Sequence, residues 1–214
     1  GDLFDVKKGL DTGENDKFVR GWFEVCLQDI CFNATQNKSS IQLEKKWFPY
    51  IKGGESRKWY GNFDNVVFWK HDGSAIKNHP KSTIRNESFN FRKGVTWSDV
   101  SSSQLAARYL PEGSIRDNRG PAIFANENEL ICIVAFLCSK ISTMFQAIIN
   151  PTICFQVGNI KALPIVREVL KSEKIKYISE NCINIAKNDW DAYETSWDFK
   201  QHPIIQNKSN YGTV

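Results

Sequence analysis

Up to about residue 126 the apolar residues fall in short runs broken by turn-forming residues, and beyond it they recur at helical spacing. Lys17 to Leu27, rich in Phe, Val and Trp, predicts a strand. Asn65-Val66-Val67-Phe68-Trp69 predicts a second, ended by His71-Asp72-Gly73. Gly94 to Trp97, Gln104 to Leu110 and Ala122 to Ala125 predict three more, with Pro111-Glu112-Gly113 as a turn. Asn126-x-x-Glu129 then has the form of a capping box opening one long helix, Leu130 to Ile149, which Asn150-Pro151 stops. A short strand, Cys154 to Val157, leads to Gly158. A second helix follows Pro164 with Ile175, Ile178, Cys182, Ile185 and Ala186 on one face. The pattern therefore predicts an α+β fold: an irregular β-rich lobe over residues 1–126, a helical segment over 127–200 and a tail over 201–214.

Composition narrows the class. A chain of 214 residues can bury one good core, or a core plus a smaller helical lobe. The net charge of +4 is too small to mean much by itself, so the position of the cations matters more. They gather at Lys7-Lys8, Lys45-Lys46, Lys52 to Lys58, Arg85 to Lys93 and Arg108 to Arg119. None of the six cysteines forms Cys-x-x-Cys or stands at metal-ligand spacing from a histidine, so zinc is not expected and reduced thiols of a cytoplasmic protein are. Residues 1–10 are charged and lack the apolar core of a signal peptide. The longest apolar run, Leu130 to Cys138, is too short to span a bilayer, so no membrane association is expected.

The stretch Lys46-Trp47-Phe48-Pro49-Tyr50-Ile51-Lys52-Gly53-Gly54-Glu55-Ser56-Arg57-Lys58-Trp59-Tyr60-Gly61-Asn62 sets aromatics beside paired glycines and cations. Glycines admit close backbone approach, and rings and guanidinium groups offer stacking planes, which together suit a polyanion that carries bases. A strand-loop-strand with core rings and solvated cations has the same composition.

The order of several blocks resembles the C-terminal target-recognition region of adenine-specific DNA methyltransferases of the BREX phage-defence type, the PglX group. The blocks are Lys8-Gly9-Leu10-Asp11-Thr12-Gly13-Glu14-Asn15-Asp16-Lys17-Phe18-Val19-Arg20, then Lys46 to Asn62, Arg85-Asn86-Glu87, Gly94-Val95-Thr96-Trp97-Ser98 and Ser101-Ser102-Ser103. Phe136-Leu137-Cys138-Ser139-Lys140, Asn150 to Ile160 and Trp190 to Phe199 follow. The resemblance implies a lobe that chooses the DNA sequence and helices that pack on it or dock the catalytic domain. Of the expected contacts, Lys7, Lys8, Lys52, Lys58 and Arg92 are candidates for phosphate, and Arg57, Arg20, Asn15 and Arg108 for base edges. Ser101, Ser102 and Ser103 suit either; Gly53 and Gly54 bring backbone close; Trp59, in a turn-flanked loop, is the ring expected to be exposed.

No catalytic centre is legible. The family's adenine pocket needs Asn/Asp-Pro-Pro-Tyr/Phe, whereas Asn150-Pro151 continues as Thr152-Ile153, and a glycine-rich cofactor loop is lacking. No metal or cofactor is expected in this chain, S-adenosylmethionine being expected in the catalytic domain of the parent protein. Double-stranded DNA and that domain are the expected partners. A second reading is a protein-interaction module: the helical segment would dock other defence-complex subunits, and the aromatic-basic loop would meet an acidic protein such as a phage-encoded DNA mimic.

Overall fold

The computed structural model describes residues 4–36, 42, 44–101 and 104–206. It is an α+β fold of two four-stranded sheets and a set of C-terminal helices. The strands are β1 (Asp5–Lys7), β2 (Val19–Gly21), β3 (Trp47–Ile51), β4 (Asn65–Phe68), β5 (Gly94–Trp97), β6 (Ala107–Leu110), β7 (Ile115–Arg116) and β8 (Ala122–Phe124). One sheet has the order β1-β8-β5-β6, all antiparallel; the other has β2-β4-β3-β7, with β3 and β7 parallel and Tyr50 opposite Ile115. The helices are α1 (Asn15–Phe18), α2 (Lys70–Lys77), α3 (Glu127–Cys138), α4 (Lys140–Ile149), α5 (Val157–Lys161), α6 (Arg167–Leu170), α7 (Glu173–Asp191) and α8 (Pro203–Gln206).

Helix α3 lies at the centre. Leu130, Ile131, Cys132, Ile133, Val134, Leu137 and Cys138 are all buried, and the helix packs on β5, β6, α6 and α7. Residues of β5, β6 and β8 share this core with Trp97, whose Nε1 donates to Phe155 O at 2.7 Å. The second sheet closes a smaller cluster of Phe48, Tyr50, Val67, Trp69 and Ile115. The first sheet and the helices thus share one apolar interior while the second sheet has its own, and no single helix among the described residues is long and apolar enough to cross a membrane.

Four local readings need correction. The expected strand Lys17 to Leu27 is α1, the three-residue β2 and a tight turn at Trp22–Glu24, because the Glu24 carboxylate turns back to accept from Gly21 N–H at 2.6 Å. The expected single helix Leu130 to Ile149 is broken at Ser139, which is extended (ψ 159°) and caps α4 through Oγ to Ser142 N–H; α3 and α4 meet at a 69° bend. The expected strand at Cys154 is one bridge to Val100, and Val157 already opens α5. Finally, of the expected α7 face Ile175, Ile178, Cys182, Ile185 and Ala186, only Ile175 and Ala186 pack against the core. Its buried residues are Ser179, Ile183 and Trp190, while Ile178 and Ile185 face solvent. The inward stripe is Ile175, Ser179, Ile183, Ala186 and Trp190, rotated slightly from the expected one. The Asn126 cap is as expected, its Oδ1 accepting from Glu129 N–H at 3.0 Å.

Burial sets a contrast in stability. Ile133→Ala, fully buried in α3, should cost about 2–5 kcal/mol by lost transfer energy and cavity formation. Ile148→Ala on α4, 77% exposed, should stay within about 0.5 kcal/mol. Urea unfolding of both variants checks this, and equal losses would contradict the packing of the helices.

Candidate nucleic-acid interface

The aromatic-basic stretch divides at Gly54. Its first half is β3, whose Phe48 and Tyr50 are core and whose Trp47 packs edge-on against Phe68. Lys46 pairs with Asp29 at 2.9 Å. Gly53 and Gly54 hold φ of +91° and +104°, a region that side chains avoid, and turn the chain sharply. The turn is fixed from both sides. Asn62 Nδ2 donates to Gly53 O and Glu55 O at 3.1 and 2.8 Å, and Ser98 Oγ donates to Gly54 O at 2.9 Å.

Beyond the turn the chain dives inward, which corrects the expectation for four residues. Lys58 Nζ donates to Cys138 O at 2.9 Å, neutralising a carbonyl at the negative end of α3. Arg57 pairs with Asp189 at 3.1 Å and lies 5.0 Å from the Trp190 ring centroid. Gly61 allows that clamp, since a Cβ there would meet Arg57 Cδ at 2.5 Å and Trp190 at 2.8 Å. Trp59 is half-buried against the main core, its N–H and C=O bonded to Ala107 and Tyr109 at the edge of β6, and so is not the exposed ring. Arg108 is fully buried in β6. Its Nη1 and Nη2 donate to Arg57 O and Ser98 Oγ at 3.3 and 3.4 Å. Burial pushes its pKa down to about 10, so it stays charged at neutral pH, but no base edge can reach it.

A different set of cations meets where four loops converge. The Lys8–Asp11 segment runs against Arg116–Asn118, with Leu10 N–H bonded to Arg116 O at 2.9 Å and Asn118 N–H to Leu10 O at 2.8 Å. Asp117 N–H bonds Ile51 O, and Asp99 N–H bonds Arg119 O, at 2.9 and 3.0 Å, which draws in Lys52–Gly54 and Ser98–Ser101. The cations of this end are Lys8, half-buried Lys52 and Arg119, whose side chain is 66% exposed. Beneath them Asp99, 5% exposed in its side chain, lies 3.5 Å from Lys8 Nζ and 3.6 Å from Arg119 Nη1. These separations are too long to saturate either cation, so the ammonium and guanidinium groups are oriented while donors still point outward. Asp117, also buried, accepts from Tyr50 O–H at 2.8 Å and Arg119 N–H at 2.7 Å. Its pKa is raised chiefly by burial, against those donors and Lys52. The loop end is therefore rigid in backbone, cationic at its rim and hydrogen-bonded beneath.

The remaining candidates lie apart. Lys7 of β1 pairs with Asp5 at 3.0 Å and sits over Phe89, where exposed Arg92 stacks as well. Buried Arg116 stacks on Phe124 next to them, its Nη1 donating to Lys7 O. Asn15 accepts from Thr12 Oγ1 at 2.7 Å beside the first loop, and Arg20 closes α1 by donating to Asp16 O and Val19 O. Ser101 bonds Ile153 O through its N–H, and Ser102 and Ser103 lie outside the described residues. Arg119 was visible in sequence only as one end of the Arg108 to Arg119 cluster. The turn pattern Asp117-Asn118-Arg119-Gly120-Pro121 is a signal that would have set it apart. Among the described residues no group of three or more potential metal ligands occurs.

No family model matches the chain. The Adenine-specific methyltransferase PglX of Lacticaseibacillus casei (strain Zhang) is 37% identical to it over 213 residues, 96% of this chain and 17% of that protein. The chain is homologous to a segment of the PglX/BrxX adenine-specific methyltransferases. The Adenine-specific methyltransferase BrxX of Escherichia coli O9:H4 (strain HS) shares 35% over 207 residues, 95% of this chain and 16% of its own length. The chain thus spans about a sixth of the PglX and BrxX relatives it matches.

Within this chain Arg57 serves as a strut to α7. Arg57→Ala should lower stability by about 1–2 kcal/mol, the sum of a half-exposed ion pair and a cation–π contact. A double-mutant cycle with Asp189→Ala should return a coupling of about 0.2–1 kcal/mol. Zero coupling with an unchanged melting temperature would contradict the strut.

Proposed function

We propose that this segment selects the DNA sequence at which a PglX/BrxX-type polypeptide modifies adenine, acting on double-stranded DNA in the cytoplasm. The observation that carries the reading is the convergence of Lys8, Lys52 and Arg119 on loops locked to one another by backbone hydrogen bonds. Recognition of a duplex needs cations to hold phosphate and set register, together with a planar donor group that reaches a base edge. Lys8 and Lys52 are placed for the first task. Arg119, exposed and oriented by Asp99, suits the second, since a guanidinium can donate two hydrogen bonds to a guanine edge. Gly53 and Gly54 let the backbone come close beside it. On this reading the adenine pocket and the site for S-adenosylmethionine belong to the catalytic part of the parent polypeptide.

The test is the salt dependence of duplex binding, followed by fluorescence anisotropy. Binding should weaken linearly in log–log form, and replacing Lys8 and Lys52 together by Ala should flatten the slope by about two. Lys58→Ala should leave the slope unchanged. Arg119→Ala should cost about 1–3 kcal/mol on the preferred sequence and little on others. A slope that moves with Lys58 and not with Lys8 and Lys52 would place the DNA elsewhere.

A further inference from the structure

Helix α4 is turned inside out. Its inward face carries Ser142 and Gln146, both buried, and among the described residues Ser142 Oγ and both Gln146 side-chain polar atoms have no hydrogen-bond partner. Its outward face carries Ile141, Met144 and Ile148, at 59%, 68% and 77% exposure, with Ile149 beside them. Beyond the Asn150 cap the chain exposes Ile153, and Val100, bridged to neighbouring Cys154, is exposed as well. Lys140 is the one charged residue in the ten of α4. Depletion of charge with exposed Ile and Met is the composition of an interface centre rather than of a solvated helix.

We infer that the outward face of α4 packs against the remaining part of the methyltransferase polypeptide that carries this segment. Two observations select that occupant. Roughly five-sixths of the length of each relative lies outside the matched segment, so a large covalently joined body is available. Six exposed apolar side chains make a small patch beside the ~800 Å² per partner of a free-standing specific interface. A tethered partner needs less, because the tether supplies a high effective concentration. A second copy of the chain has no such advantage. The location adds a functional consequence: residues 98–101 run from the Asp99 carboxylate of the cationic loop end directly to the Val100 bridge at this face. A body docked on α4 would stand next to the loops that hold DNA. The inference deepens the target-selection reading by assigning the surface through which the selected site meets the catalytic part, and it rests on that reading only for this consequence.

The test compares thiol labelling of Ile148→Cys in the 214-residue chain and in the full-length polypeptide, read by peptide-level mass spectrometry so that the native cysteines are resolved. Lys81→Cys, exposed on the other sheet's side, is the control. Labelling at position 148 should be slower by about tenfold or more in the full-length polypeptide, with the control unchanged. Equal rates at position 148 would overturn the inference, as would slowing that depends on the concentration of the 214-residue chain alone, which would identify a second copy as the occupant. Salt-dependent duplex binding measured on the same preparations separates the two ideas. Loss of salt-dependent binding with position 148 still protected counts against DNA reading alone, and the reverse outcome against the docking face alone.

Discussion

The burial of helix α3 is the constraint from which most of this structure follows. A helix apolar on nearly every side has to be wrapped, and β5, β6, α6 and α7 do so. Wrapping leaves its last carbonyls inside the protein, where they need donors. Lys58 supplies one to Cys138 O, and the segment around it is drawn in with it: Trp59 onto the edge of β6, Arg57 onto Trp190 and Asp189 of α7. The left-handed turn at Gly53–Gly54 is where the chain changes direction from the outer loop end to this inward path. One helix terminus thereby determines which cations of a basic stretch are structural and which remain at the rim.

The same logic accounts for Arg108 and Arg116. Both are enclosed by the sheets, and burial lowers the pKa of each to about 10. One donor of each reaches a backbone carbonyl, Arg57 O for Arg108 and Lys7 O for Arg116, and so pins a loop segment to a strand. The carboxylates at the loop end act in the opposite sense. Asp99 and Asp117 lie below Lys8, Lys52 and Arg119, fixing their positions through charge and backbone contacts while reducing the net positive potential. A surface built this way favours defined geometry over raw attraction, in keeping with a modest net charge of +4.

Local signals carried much of the fold. The caps at Asn126 and Asn150, the strands β4, β5 and β8, and the change from sheet to helix near residue 126 depend on neighbours in sequence, and each is found close to its expected place. What sequence could not disclose was direction. An arginine in a basic cluster looks alike whether it faces water or a tryptophan 133 residues away, as Arg57 does with Trp190. Arg108 alternates along its strand like any β residue, and only the sheet pairing shows that its side is the inner one. The break at Ser139 was hidden because a serine cap for a new helix is also tolerated within an old one. At the loop end Lys8, Lys52, Gly53 and Gly54 were legible as a basic, glycine-bearing set, whereas Arg119 joined them only through long-range backbone pairing.

Function on this account lies in the rim of the four loops, with α3 and α7 as the frame that holds them and α4 as the face turned to the rest of the polypeptide. The claim that the rim is the DNA face is tested most directly by backbone hydrogen exchange of this segment with and without a cognate duplex. Added duplex should slow exchange at residues 8–11, 52–54 and 117–120 and leave residues 57–60 as they were. Protection confined to 57–60, or to the Phe89–Arg92 region, would contradict it.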